Sequence, residues 1–398
     1  WKREFAKFAP SVSTYIHYGP NRTGYYKNLE QYQVVISAYS TVVNDVSVLK
    51  NIEWYMVVLD EAQNIKNPYA ERTKAVKQLD RNCGICVTGT PFENHMLDLW
   101  SLVDFSNPGL LGTQSAYEAK ITDDTAGAKE VEPILSPIML RRNVADVAKD
   151  LPDRVEVPEP LRMSDQEAQT YEEIRQQTIK EYGGKNVTLP VLSRLRMCCA
   201  HPLLLDAVFN QDPAVTSIKY QRLCEIISHI VERNEKAIIF TSYVKMINIL
   251  CDDLRVRFSI PTDSIYGAVP ANERQAKIDA FSNVQGSAVL VLNPNAAGTG
   301  LNITAANHII HYTLEWNPAV EDQATARAYR RGQNKTVFVH RLFYADTVED
   351  FVNKKIENKR MISEEAVVGT DGTAQSVNDI VAALNASPIG KGEINGTK

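Results

Sequence analysis

A chain of 398 residues is too long for one ordinary hydrophobic core, so two or three domains of ~100 to 200 residues are expected. Hydrophobic content of 44%, charged content of 23% and a net charge of −5 exclude a disordered, collagenous or disulfide-stapled chain, and argue against nucleic-acid binding through overall basicity while leaving room for a local basic groove. No apolar run approaches the ~20 residues that span a bilayer, and WKREFAKFAP lacks the apolar core of a secretory signal, which points to a soluble intracellular protein with no membrane partner.

In chain order, the runs QVVISAYS, YMVVLDEA and CGICVTGTP read as strands, followed by helical patterns at 40–50, 70–80 and 94–105. From about 108 to 215 there is almost no strand pattern; DQEAQTYEEIRQQTIKEY, with Ser164 as its N-cap, and LPVLSRLRMCCAHPLLL read as helices. A second group of strands follows, KAIIFTSY, SAVLVLNP, NHIIHYTL and TVFVHRLF, separated by helical patterns at 243–257, 270–282 and 318–331. Continuous apolar strands alternating with helices imply parallel sheets covered on both faces, and two such groups imply two α/β domains. The end of the chain carries a charged helix, TVEDFVNKKIENKRMISEEAV, then the short apolar helix VNDIVAALN and a frayed tail. In the charged helix, KKIENKR is read as a solvated face packing on the second domain rather than a phosphate-tracking stripe. The six cysteines are read as reduced thiols. Cys83 and Cys86 make a CxxC, and Cys198, Cys199 and His201 lie close together, yet a CxxC inside an apolar strand is better explained by small buried thiols than by zinc.

Taken alone, LDEA fits a solvated loop as well as a site. Its position sharpens it, because ligands of open α/β sheets bind beyond the carboxyl ends of the strands, where Asp60 and Glu61 would stand. Phosphoryl transfer from ATP needs one carboxylate for Mg²⁺, directly or through its water, and a second group for the attacking water; Asp60 and Glu61 can divide these roles. A second strand end should sense the γ-phosphate, and VTGTPFEN offers Thr88 and Thr90 as hydroxyl donors around Gly89. The transition state also asks for positive charge, and DQATARAYRRGQ sets Arg327 and Arg330 three apart, on one face of a helix, where a solvated basic face is the competing reading. NAAGTGLN, with Gly298 and Gly300, supplies a turn that allows close backbone approach. His17, His95 and His340 have no partner pattern and are assigned no chemistry.

The order DEAQ, TGTP with FENHMLDLWSLVDFSNPGLLG, IMLRRNVADVAKDLPDR, LRMCCAHPLLL and AAGTGLNITAANHIIHYTLEWNPAVEDQATARAYRRGQ resembles the Swi/Snf-type branch of superfamily two helicase-like ATPases, from Trp1 to about residue 360. The ordered set is specific, above all WNPAVEDQATARAYRRGQ. The resemblance implies an α/β fold of two RecA-like (P-loop NTPase) lobes with parallel sheets, joined by helical protrusions, with ATP and Mg²⁺ in the cleft between the lobes and double-stranded DNA across both. The lobes are expected at 1–110 and 216–366, the protrusions and linker at 111–215, and a short helix and flexible tail at 367–398. In such proteins the pair matching Asp60 and Glu61 serves magnesium and water, and Arg327 and Arg330 match the arginine fingers. Further ATP contacts are implied for Gln63, Thr88, Gly89, Thr90, Gly298, Gly300 and Gln323, and DNA contacts for Lys66, Asn302 and Trp316. The LRR at 140–142 would lie near the lobe junction.

The chain departs from the family pattern at Asn295, where a lysine is usual, at Ala297, where a glycine is common, and at Tyr329 and Arg331, which replace His and Ile. WKREFAKFAP resembles the helix after motif Ia, so the glutamine motif and the Gly-rich, lysine-bearing phosphate loop are expected upstream of Trp1, together with a central strand whose absence leaves an open edge. Residues 1–398 alone are expected to show negligible ATPase activity, restored with that segment. The reading is an ATP-dependent double-stranded DNA translocase that remodels protein–DNA complexes, with DNA-bound proteins as further partners and a monomeric state. The alternatives are a strand-separating helicase or RNA translocase, and a DNA- or partner-binding module without turnover. The compact bacterial or phage members are resembled most; the expected location is the nucleoid-bearing cytoplasm, or the nucleus in a eukaryote.

Overall fold

Ten strands form among the described residues of the computed structural model, which are 1–89, 96–122, 125–140, 142, 148, 150–181, 189–205, 212–297, 301–354, 357 and 386–389. Every strand pairing is parallel, as the continuous apolar runs require. The chain divides into two compact units, the first being Trp1–Leu140 and the second beginning at Arg141. None of the described helices is long and apolar enough to cross a membrane.

In the first unit β1 (Thr14–His17) pairs with β2 (Val34–Ser37), and β3 (Trp54–Asp60) pairs with β4 (Arg81–Val87). The helical pattern at 40–50 splits into Tyr39–Asn44 and Val46–Leu49 at Asp45. The Asp45 carboxylate accepts from Arg22 Nη2 at 3.0 Å and stands 2.9 Å from Nε2 of the fully buried His17; the Arg22 hydrogen bond holds its carboxyl below the usual range. His17 is thus a core histidine with a partner. The other expected helices appear as Glu71–Lys77 and Met96–Ser106.

Alternation along β3 and β4 gives their sheet two unequal faces. Val57, Leu59 and Cys86 face a core built from Ile65, Ala75, Val76, Leu102 and Phe105. On the other face Met56, Val58, Ile85 and Val87 remain 37–49% exposed beside Asp60, and the outer edge of β4 has no strand partner among the described residues. Cys83 lies on this open face and is exposed, contrary to the expected pair of buried thiols; Cys86 is half-buried, and burial pushes its thiol up to about 12. All six cysteines are free, and no group of three His, Cys, Asp or Glu that could hold a metal occurs among the described residues.

The second unit is one six-stranded sheet in the order β5–β10–β9–β6–β8–β7, from β5 (Arg154–Leu161), β6 (Lys236–Phe240), β7 (Thr262–Ile265), β8 (Ala288–Leu292), β9 (His308–His311) and β10 (Val337–Tyr344). Alternate strand residues serve opposite faces. Ile239, Val289, Val291, Ile310 and Leu342 pack on the helices Ile218–Glu232 and Val244–Phe258. Ile238, Phe240, Leu290, Leu292, Ile309 and Val339 pack on Ala271–Asn283 and Pro318–Thr325. Each such fully buried aliphatic side chain contributes about 1.5–3 kcal/mol. The segment expected to be free of strands, 108–215, carries β5, and this strand belongs to the second sheet rather than to a helical linker.

Helix Asp165–Glu181 begins with the expected Ser164 cap, in reciprocal form: Ser164 Oγ accepts from Glu167 N at 3.3 Å and Glu167 Oε2 accepts from Ser164 N at 2.9 Å. The other oxygen of buried Glu167 accepts from Tyr344 Oη at 2.6 Å and from Ile218 N at 3.1 Å, joining two helices to β10. Beside it Lys219, wholly buried, contacts Glu349 at 2.5 Å. The calls at 141 (of the LRR), 355–356, 358–360 and 377–385 lie outside the described residues.

Candidate active site

β3 ends in Asp60, exposed on the open face of its sheet, and Glu61 follows in a left-handed conformation, φ 50° and ψ 52°. That conformation costs a non-glycine residue about 1–2 kcal/mol, so the surrounding bonds must hold it. Asp60 Oδ1 accepts from Glu61 N at 3.0 Å and Oδ2 from Trp1 Nε1 at 2.8 Å. The Asp60 carbonyl accepts from Tyr39 Oη at 2.9 Å, and burial pushes that phenol well above its ordinary range, keeping it a donor. Gln63, in the 3-10 helix Ala62–Ile65, ties both strand ends together: its Nε2 donates to Glu61 Oε2 at 2.9 Å, and its Oε1 accepts from Thr88 Oγ1 at 2.7 Å. Thr88 Oγ1 thus donates to Gln63 in this structure. Gly89 is exposed beside it, Lys66 caps the 3-10 helix half-buried, and Thr90 lies outside the described residues.

In the second unit the carboxyl ends of β6, β8 and β9 gather polar groups. Asn293 Nδ2 donates to Ser242 O at 3.1 Å, Ser242 N donates to Thr313 Oγ1 at 3.0 Å, and Ser242 Oγ donates to Glu315. Glu315 N in turn donates at 3.0 Å to Glu321 Oε1, on the helix that carries Gln323. That helix ends at Thr325, not at 331, so Arg327 and Arg330 stand in the turn that follows rather than on a helical face. Arg327 is half-buried and Arg330 exposed. Asn302 is exposed between buried Leu301 and Ile303. Trp316 is half-buried, its ring 6.4 Å from Phe351 and 6.0 Å from the Arg196 guanidinium, which donates to Leu314 O at 2.5 Å. Much of its surface is thus engaged in packing. Gly298 and Gly300 lie outside the described residues.

Sequence reasoning passed over Tyr39 and Ser242, for which no local pattern gives a signal. It also passed over Gln333, whose signal was available as the last letter of AYRRGQ: this residue is 5% exposed, and its side chain donates into the backbone of two loops.

Paired acids thus stand at the end of one parallel sheet, and paired arginines stand in a turn packed on another. The SNF2-related domain family matches residues 1–204, and the Helicase conserved C-terminal domain matches residues 218–332. A Bacillus subtilis (strain 168) protein named "Putative ATP-dependent helicase/translocase YwqA" is 34% identical over 388 residues, covering 92% of this chain and 42% of that protein. The Zorya protein ZorD of Escherichia coli O139:H28 is 34% identical over 367 residues, covering 85% and 34% respectively. A solved Sulfolobus solfataricus SWI2/SNF2 ATPase core in complex with dsDNA is 32% identical, with a TM-score of 0.49, over 97% of this chain and 84% of that one. The chain belongs to the SNF2-related family, and its described residues form two compact α/β units. It spans less than half the length of the curated relatives named here.

Proposed function

We propose that the protein hydrolyses ATP and couples the hydrolysis to translocation along double-stranded DNA, displacing or remodelling what is bound there. The observation that carries this reading is the Thr88–Gln63–Glu61 chain beside Asp60, which holds a carboxylate at a strand end in a strained, defined orientation. Family membership and relatives named as ATP-dependent helicases support the same class.

The donor set suits Mg²⁺. Two adjacent acids, with no larger ligating group among the described residues, fit a cation that keeps waters and phosphate oxygens as ligands rather than one caged by protein. Asp60 would hold it: Trp1 Nε1 and Glu61 N use one lone pair on each of its oxygens and leave the others for a cation. When bound, the ion neutralises charge on phosphate oxygens. Glu61, fixed by Gln63, orients and deprotonates the attacking water; Arg327 and Arg330 stabilise the charge that grows on the transferred phosphoryl group. Gln63, Thr88, Gly89, Thr90, Gly298, Gly300 and Gln323 complete the nucleotide contacts. Lys66, Asn302 and Trp316 meet the duplex, mainly at phosphates and sugars, so affinity falls steeply with salt and depends little on sequence. In the full-length protein, phosphate release should rise on adding duplex DNA, and a triplex-forming third strand should be displaced without separation of the duplex. Duplex separation in the parallel assay would replace translocation by unwinding, and no DNA-stimulated release would end the reading.

A further inference from the structure

We infer that Gln333 is the positioning residue that makes the DNA-facing segment and the arginine turn one mechanical element, so that DNA contact at 301–306 is conveyed to Arg327 and Arg330. This rests on the functional reading above. The Gln333 carboxamide is buried, and its Nε2 donates to Ala306 O at 2.8 Å and Thr304 O at 3.1 Å, with Ala328 O at 3.4 Å. Its Oε1 accepts from Asn334 N and Lys335 N, each at 3.0 Å, which fixes the amide's orientation. Its own N–H donates to Arg330 O at 3.0 Å, closing the turn. One side chain thus binds the carbonyls of the segment after Asn302 and the backbone of both arginines' turn.

Two further links join the same pieces. Ile303 N donates to Arg327 O at 2.9 Å. Leu301, Ile303 and Ala306 share a buried cluster with Ala324 and Ala328, so the two loops are also packed together. Asn302 emerges between two buried neighbours of that cluster, and a force on it has no soft joint to relax into before it reaches Arg327. Only a carboxamide has two N–H donors and an acceptor at this reach, which a hydrocarbon of equal size lacks.

The test uses the natural protein and its Gln333→Met variant, which keeps volume and loses every side-chain hydrogen bond. The expected result is a ratio of DNA-stimulated to basal kcat lower by about tenfold or more, with DNA Kd and the KM for ATP within about twofold of the parent. Hydrogen exchange supplies the readout that a merely structural residue would not move: duplex DNA should protect amides at both 301–306 and 326–333 in the parent, and only at 301–306 in the variant. Gln333→His, which keeps one N–H donor, should recover part of the ratio. A parent whose 326–333 amides ignore DNA overturns the inference without needing any variant to fold. So does an unchanged ratio in Gln333→Met. A parent with no DNA-stimulated turnover overturns the functional reading itself, and the inference with it.

Discussion

Acidification should destabilise the second unit through a histidine to which the sequence assigned no role. His340, on β10, stacks on His308 of β9 with ring centroids 5.7 Å apart, and its Nδ1 lies 3.6 Å from Glu159 on β5. His308 lies 2.7 Å from Glu235, while Arg222 binds Glu159, and Lys335 and Arg233 add positive charge nearby. Burial, then the neighbouring His308, lowers the His340 pKa to about 4 against the opposing pull of Glu159. A drop from 6.5 to about 4, at 1.36 kcal/mol per unit, corresponds to about 3 kcal/mol. The folded state binds the proton less readily than the unfolded chain, so this stability is full above about pH 6.5 and is lost as pH falls towards 4. His308 is lowered in the same direction, so the parent's slope exceeds that of one histidine. The assay is urea unfolding of parent and His340→Gln at several pH values, followed by Trp316, the one tryptophan of the second unit. The parent should lose about 3 kcal/mol more than the variant across the window. Parallel curves, differing by less than about 1 kcal/mol in pH dependence, would refute the reasoning.

Gln63→Ala frees Glu61 from its orienting amide and should lower kcat roughly 10²-fold, a larger effect than its rise in the KM for ATP; Thr88→Val should act in the same direction, and the double variant should add little to either in steady-state kinetics. Arg327→Ala should cost ~10³ or more in kcat while equilibrium nucleotide binding, measured by calorimetry, stays near the parent's. Lys219→Met leaves the buried Glu349 carboxylate without its cation and should destabilise the fold by roughly 3–5 kcal/mol in chemical denaturation. Adding Glu349→Gln should recover most of that loss, because the amide oxygen can still accept from Tyr344 N, which donates to Glu349 at 3.1 Å.

The central strands β6, β8 and β9 were legible because a parallel sheet covered on both faces leaves a continuous apolar run in the sequence. β5 was hidden by Pro158 and Pro160, which argue against a central strand. The ladder resolves this: Asp153 O and Leu161 O accept from Val337 N and Ala345 N, so odd-numbered residues face β10 and both prolines turn towards the open edge. In β7 the short, polar TDSI offered no pattern. The arginine turn was read as helix because Ala324 and Ala328 continue the apolar spacing past the point where the helical bonds end. Asp60, Glu61 and Thr88 were legible as residue types at strand ends. The bond that organises them was not, since Gln63 and Thr88 are 25 residues apart and only the register of β3 on β4 brings them together.

Among the described residues the open face of the β3–β4 sheet sets the surroundings of the acid pair. Met56, Val58, Ile85 and Val87 form a side-by-side apolar strip that the modest net negative charge of the chain does little to shield. Asp60 lies on that same face, so whatever settles there also decides how much water reaches the acid pair.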